Sequence, residues 1–349
     1  MSTDRQRAVG NLKKRTEPMS DAAADLRYAR DILAKDSNHQ RTCIPVFGTG
    51  LNIQAATMAG YPNKDDWHGL LAKIALEVLP PGQSIETLPR THLALWEALL
   101  CRSAKKTARY PFQAENALQR SICEKLRMQE AECRSFDLYR LVAAGGFPDI
   151  LSLNFDRRIA RSCRDQRFVA GPSPCPLGSH GETLFRHSVI QHQNGTTTRV
   201  WYPHGDVKKA ATIKFGVRKY GYYVAVLREY VGAGDGSWRY RASSLSHLAD
   251  PKAKSALLRK TPAWVPLFLS RPLMFIGCGL TLQEWPLWWL LRRRAEIGAP
   301  PALCLAIGTE GVPTHLRGLP EVRTIMFGSP GELWSALLSW LSTDAKEVS

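Results

Sequence analysis

No stretch of this 349-residue chain reaches the roughly 18 consecutive uncharged apolar residues that a membrane span requires. The nearest approach, residues 267–282, is interrupted by Ser270, Arg271, Pro272, Gly277 and Gly279. No C-x-x-C pair occurs among the eight cysteines, Cys43, Cys101, Cys123, Cys133, Cys163, Cys175, Cys278 and Cys304. Scattered single cysteines in a chain this long read as buried thiols in a reducing compartment, not as a disulfide framework. The closely spaced Cys/His pairs of a structural zinc site are missing as well. Residues 1–18 are polar and basic and lack the apolar core of a secretory leader, so the sequence reads as a cytoplasmic protein with no membrane partner. Repeats, zinc fingers and aromatic RNA-binding signatures are absent. What is present is an ordinary globular mixture, 44% hydrophobic and 22% charged, which excludes a disordered chain. At roughly 100–200 residues per domain, it makes one large domain or two small ones.

Acidic residues are in the minority, 31 against 47 Lys+Arg, leaving a formal charge of +16. The excess is uneven: residues 201–260 hold 12 Lys/Arg against 4 Asp/Glu, half of the total. Lysine and arginine usually line solvated helix faces. A concentration of this kind also attracts polyanions or a phosphate-bearing small molecule, and charge alone does not separate a dinucleotide from nucleic acid.

Apolar periodicity then gives the element order. Ser20 is placed to cap a helix over residues 21–35, with Leu26, Ala29, Ile32 and Leu33 at helical spacing. Residues 43–47 form a short apolar run that ends in Gly48-Thr49-Gly50. A helix over about residues 52–58 and a turn at Gly60-Tyr61-Pro62-Asn63 follow. Asp65 or Asp66 is placed to cap the next helix, through Leu70, Leu71, Ile74 and Val78, and two or three helices fill residues 91–144. Further short strands are expected at 149–153, 199–202, 273–276, 303–307 and 322–326, and further helices at 283–296 and 332–341. Residues 166–198, rich in Pro, Gly, Ser and His, read as a long irregular loop, either a lid or a mobile surface segment. Strands alternating with helices specify an α/β fold: a Rossmann-like parallel sheet with helices on both faces, plus a helical insertion at about residues 85–145. The first 40 residues read as an N-terminal helical extension and residues 41–345 as one domain.

Four strands end in small or polar clusters, and in parallel sheets ligands bind outside the carboxyl ends of the strands, so the clusters should converge. Gly48-Thr49-Gly50-Leu51-Asn52 suits either a plain strand–helix turn or backbone N–H groups offered to a phosphate. Asn154-Phe155-Asp156, taken alone, is best explained as an Asx turn; its functional reading is an amide orienting a water or ribose hydroxyl. His204-Gly205-Asp206 places an imidazole at a strand end beside an acidic residue, compatible with a general base. His180, His187 and His192 lack ligand spacing and read as surface or lid residues, with no metal assigned. Gly277-Cys278-Gly279 permits close approach to a phosphate or ribose, and nothing nearby supplies a base for the Cys278 thiol.

In their order and spacing these clusters resemble the sirtuin-like NAD-binding family, particularly its zinc-free members in bacterial anti-phage defence. The family's G-A-G-x-S strand end is similar to Val46-Phe47-Gly48-Thr49-Gly50-Leu51-Asn52, followed by Ala59-Gly60-Tyr61-Pro62 and Trp67. Its T-N-Y-D element resembles Leu153-Asn154-Phe155-Asp156. Its H-G-D and following apolar-G-x-x-x-Tyr stretch resemble His204 to Asp206 and Phe215-Gly216-Val217-Arg218-Lys219-Tyr220. Its F-I-G-x-S-L-x-D and W-L-L-R elements resemble Phe275-Ile276-Gly277-Cys278-Gly279-Leu280 and Trp289-Leu290-Leu291-Arg292. The match spans residues 43–294. The resemblance implies an NAD site, with Gly48, Thr49, Gly50 and Asn52 around the phosphates and Asn154 and His204 at the reacting ribose. It implies Asp156 at the nicotinamide carboxamide, and Gly277 and Cys278 at the adenosine-side ribose and phosphate. Asn52 and Gly279 stand where the family has serine. The deacylases of the family carry a four-cysteine zinc module after the H-G element; no cysteine lies between His204 and Cys278 here. The implied activity is therefore NAD+ hydrolysis to ADP-ribose and nicotinamide without zinc. The implied partners are a second copy of the chain, or an ATPase or nuclease encoded nearby, restraining a toxic effector. The alternatives are a protein deacylase or ADP-ribosyltransferase, and a non-catalytic NAD- or nucleic-acid-binding subunit.

Overall fold

The computed structural model describes residues 22–36, 40–60, 67–78, 88–89, 91–107, 111–132, 137–173, 175, 177–235, 261–308, 312–317 and 319–342. Ser20, Asp65 and Asp66, expected as helix caps, lie outside the described residues, as do residues 61–63 of the expected turn and 236–260 of the basic segment. The chain runs α1 (Ala22–Leu33), β1 (Ile44–Phe47), α2 (Thr49–Met58), α3 (Trp67–Val78), α4 (His92–Thr107), α5 (Pro111–Glu132), α6 (Asp137–Ala143) and β2 (Asp149–Ser152). It continues α7 (Arg158–Arg161), β3 (Gln166–Val169), α8 (Gly178–Gly181), β4 (His187–Gln191), β5 (Thr197–Trp201) and α9 (Gly216–Asp235). The last third is α10 (Trp264–Ser270), β6 (Leu273–Ile276), α11 (Trp285–Glu296), β7 (Ala302–Ile307), β8 (Val322–Phe327) and α12 (Pro330–Ser342).

The strands form one eight-stranded sheet in the order β3-β4-β5-β2-β1-β6-β7-β8. From β5 to β8 all neighbours are parallel, and β4 runs antiparallel to both β3 and β5. Parallel strands are covered on both faces and so read as unbroken apolar runs; Leu273, Met274, Phe275 and Ile276 of β6 are all fully buried. Alternate residues serve opposite layers. Phe47, Ile150, Met274, Ile276, Leu303 and Leu305 pack with α1, α6 and α12. Ile44, Val46, Leu151, Phe275 and Cys304 pack with α9, α10 and α11. The expected α/β architecture with helices on both faces is therefore present. Within residues 1–40, α1 belongs to the sheet layer, through Ala29, Ile32 and Leu33.

A third apolar cluster joins α3, α4 and α5 to Phe155, Val207, Ile213 and Phe215, residues just beyond β2 and β5. The helical insertion thus sits over the carboxyl ends of those strands. It comprises α3 to α5, since Leu138, Tyr139 and Val142 of α6 pack into the sheet layer instead.

Residues 166–198 are not a continuous irregular loop. They contain β3, β4 and the start of β5, an antiparallel edge closed by a turn through Asn194 and Gly195, the latter at φ +81°. Exposed Gln166 and Arg167 and polar His187, Ser188 and Gln191 obscure the apolar signal, because an edge ribbon has a solvated side. The Asn-Gly pair is the local signal that marks the hairpin.

Arg41 ties the layer together. Buried, it donates through Nε to Gly145 O at 2.7 Å, to Leu33 O, and through one terminal nitrogen to Trp340 O and Leu341 O at 3.4 and 3.3 Å. Arg41→Met leaves several buried carbonyls without a donor, at about 1–3 kcal/mol each where no water replaces it. A loss of about 3 kcal/mol in urea unfolding is the expected outcome.

Candidate functional site

The four cluster-bearing strands, β5, β2, β1 and β6, are consecutive neighbours in the sheet. From β1 the chain progresses through β2 towards β5, whereas from β6 it progresses the other way to β7 and β8. The order therefore reverses between β1 and β6, where doubly wound sheets open a crevice.

At that point the glycines first serve each other. Gly48 N donates to Ile276 O at 3.1 Å and Gly50 N to Gly277 O at 2.9 Å. A Cβ on Gly48 would lie 2.6 Å from Gly277 O, and one on Gly50 would lie 2.6 Å from Gly277 Cα. The loops after β1 and β6 thus interlock backbone to backbone, and two N–H groups expected at a phosphate are engaged by the β6 loop. Thr49 opens α2. Cys278, in the same loop, donates its thiol to Val46 O at 3.1 Å; burial holds it well above the ordinary thiol range, so the sulfur keeps its proton.

Beyond β2, Asn154 is 2% exposed and donates Nδ2 to Gly48 O at 2.9 Å, bracing the glycine turn. Its Oδ1 is buried with no hydrogen-bond partner among the described residues. Phe155 turns the other way, into the insertion, 4.5 Å from the Trp67 ring. Asp156 makes the Asx turn, accepting from Arg158 N at 3.1 Å, and also accepts from Asn52 Nδ2 at 2.6 Å. Asn52 in turn accepts from Tyr139 Oη at 2.7 Å. Asn52 and Asp156 are therefore brought together, each held by the other.

Beyond β5 lies His204, 4% exposed. Leu151 and Trp201 are register partners, so Asn154 and His204 sit at equal distances along neighbouring strands, three residues past the pair. Val207 N donates to Phe155 O at 2.9 Å, stitching the two loops. Gly205 adopts φ +98° and any Cβ there would fall 2.3 Å from Thr212 O, so the H-G turn requires glycine. The acidic residue beside it does not face the imidazole: Asp206, fully buried, accepts from Arg186 Nε at 2.6 Å and from Lys208 N at 2.9 Å.

The carboxylate that does face His204 is Glu284, just before α11, with Oε2 3.6 Å from His204 Nε2. Tyr220 Oη of α9 donates to the same Oε2 at 3.3 Å, and His92 Nε2, at the start of α4, lies 4.0 Å from Oε1. The adjacent Gln283 accepts from Leu93 N at 3.0 Å, so the insertion meets the β6 loop beside the histidine. Burial, with smaller contributions from His92 and Lys214, pushes His204 down to about 3, and burial pushes Glu284 up to about 7. Both shifts favour the uncharged forms. Sequence reading passed over Glu284, His92 and Tyr220 as site residues. Glu284 lies four residues beyond the last matched position of its motif, His92 falls in a stretch read as helix, and Tyr220 closes a matched element to which no role was given.

Two expectations need correcting. His187 is a buried strand residue, its ring 4.3 Å from Trp201 and its Nδ1 2.8 Å from Phe185 O, and not a surface or lid residue. In the basic segment, Lys214 and Lys219 are buried and so are not displayed to a polyanion, whereas Arg218, which pairs with Glu115, keeps an exposed side chain. Lys214 is 0% exposed and donates to His180 O at 2.9 Å, and burial lowers it to about 7. Among the described residues no group of three or more His, Cys, Asp or Glu side chains is arranged to hold a metal ion, and no helix is long and apolar enough to cross a membrane. Set against known proteins, the chain matches no family model and no curated protein.

Proposed function

We propose that the protein is an NAD+ hydrolase that cleaves the nicotinamide–ribose bond, releasing nicotinamide and ADP-ribose, with Asn154 and His204 at the reacting ribose. One observation carries the reading. Asn154 Oδ1 and His204 Nε2 are buried on adjacent strand-end loops, and each lacks a hydrogen-bond partner among the described residues. Native proteins rarely bury polar atoms unpaired, and two such atoms on neighbouring strand-end loops are open to a partner supplied by a ligand or a water. An acceptor and an imidazole nitrogen suit ribose hydroxyls or an attacking water. Cleavage passes through an oxocarbenium-like state, for which positioning and charge placement do most of the catalysis. Gly48, Thr49, Gly50, Gly277 and Cys278 would border the rest of the dinucleotide, with the Gly48 and Gly50 N–H groups spent on the β6 backbone and Asn52 and Asp156 behind them.

The remaining parts of the proposal, a cytoplasmic effector of anti-phage defence restrained by self-association or by an ATPase or nuclease partner, rest on the family resemblance alone. The test is to incubate purified protein with NAD+ and to separate ADP-ribose and nicotinamide by chromatography. Stoichiometric release of both is expected. Silence with and without candidate partners overturns the proposal, acyl-peptide turnover replaces it with a deacylase, and a labelled protein acceptor replaces it with a transferase. NAD+ binding without turnover leaves a sensor, and nucleic-acid binding that weakens steeply with salt leaves a polyanion-binding subunit.

A further inference from the structure

We propose that Glu284 is a positioning residue acting through His204, its carboxylate balancing the imidazolium that forms when His204 accepts a proton; this rests on the NAD-cleaving reading of the site. The geometry assigns the role by convergence. Four elements meet at this carboxylate: the loop after β5 brings His204, α9 brings Tyr220, the first turn of α4 brings His92, and the loop after β6 brings Glu284 itself. His204 Nε2 is buried and makes no hydrogen bond among the described residues; at 3.6 Å, Glu284 is its acidic neighbour. Asp206, the acid that the sequence offers for the purpose, is consumed by Arg186. The other titratable or charged groups acting on the pair are Lys214, Tyr223 and Cys278.

The chemistry needs such a partner. As the bond from ribose C1′ to the nicotinamide nitrogen breaks, its electron pair goes to the ring nitrogen and neutralises the pyridinium. The oxygen of water bonds to C1′, and that water must give up one proton. His204 accepts it, and a burial that disfavours imidazolium is offset only while an anion lies beside the ring. Glu284, raised to about 7 by its own burial, supplies that anion as pH rises and withdraws it as pH falls. The rate should therefore climb with pH through the neutral range.

Two measurements on the full-length protein separate this inference from the reading beneath it. The first does not use NAD+. With ring-labelled histidine, and His204 assigned from the spectrum of His204→Gln, the His204 resonance of wild type should show a step near neutral pH as Glu284 ionises. Glu284→Gln should abolish it. The second is turnover: Glu284→Gln should lower kcat roughly 100-fold, the middle of the usual range for assisted proton transfer, with KM changed less than about threefold. The acid limb of the pH profile should vanish too. Tyr220→Phe keeps the carboxylate but removes a hydrogen bond to its ionised form, so its limb should move to higher pH. That shift also serves if Glu284→Gln fails to fold. An unchanged His204 resonance in Glu284→Gln, or an unmoved limb in Tyr220→Phe, overturns the inference. A wild type that shows the coupled resonance but never cleaves NAD+ supports the pair and sinks the hydrolase reading.

Discussion

Asn154→Ala is expected to lower kcat/KM for NAD+ cleavage by roughly three orders of magnitude, the upper end for removing one preorganised polar contact to a transition state. Its melting temperature should scarcely change. The two halves of that expectation have separate causes. The substitution deletes one buried hydrogen bond, Nδ2 to Gly48 O, whose net contribution is about 1 kcal/mol. It also deletes Oδ1, a buried acceptor that the described residues leave unpaired, whose removal is stabilising. Gly48 O keeps a second donor, Leu51 N at 3.2 Å. A purely structural Asn154 predicts the reverse pattern, with lost stability and retained turnover. Asn154→Asp sharpens the contrast. It turns a carboxylate oxygen towards the Gly48 carbonyl inside the protein, and should cost several kcal/mol where alanine costs about one. Urea unfolding of both variants, beside ADP-ribose release, decides between the accounts; equal destabilisation by Ala and Asp removes the argument from the unpaired oxygen.

Asn154 and His204 were legible in the sequence because each ends a short apolar run, and a strand buried on both faces announces itself by unbroken hydrophobicity. The same property made β1, β2, β6 and β7 readable, since Ile44 to Phe47 or Leu273 to Ile276 have no solvated side to dilute the signal. The edge ribbon of β3 and β4 was not readable, because β3 has no buried residue and the strands carry polar or charged side chains such as Arg167, His187, Ser188 and Gln191. Composition there suggested a loop, although Asn194-Gly195 marked a tight turn. Asp206 follows His204 in sequence, and chain proximity suggested a pair, but the φ +98° turn at Gly205 sends Asp206 to Arg186 instead. Glu284 reaches the imidazole only because the β6 loop folds back over the strand ends, a juxtaposition that no local pattern encodes. The position of the candidate site is therefore written in the strand ends, and its electrostatics in the tertiary fold.

Gly50→Ala is expected to destabilise the protein by about 3–5 kcal/mol, the size reserved for backbone clashes and strained conformations in a close-packed interior. In a folded body of this size that lowers the melting temperature by roughly 4–7 °C. The reason is specific to one contact. The added methyl would stand 2.6 Å from Gly277 Cα and 2.9 Å from Gly277 O, both backbone atoms with no rotamer by which to retreat. Gly277 cannot yield by changing conformation, because it holds φ +63° and a Cβ on it would meet Gly50 Cα at 2.9 Å. Gly277→Ala should therefore cost a comparable amount, with backbone strain added to the clash. Since each change breaks the same interlock, the double variant should be less destabilised than the sum of the two singles. If the glycines served only to admit a phosphate, Gly50→Ala would fold normally and lose NAD+ affinity alone, so thermal melting without any ligand distinguishes the two explanations. The interlock also links stability to chemistry. Gly48 lies in the same turn and its carbonyl anchors Asn154, so an opened β1–β6 contact should release the amide from its position and abolish turnover in whatever protein remains folded.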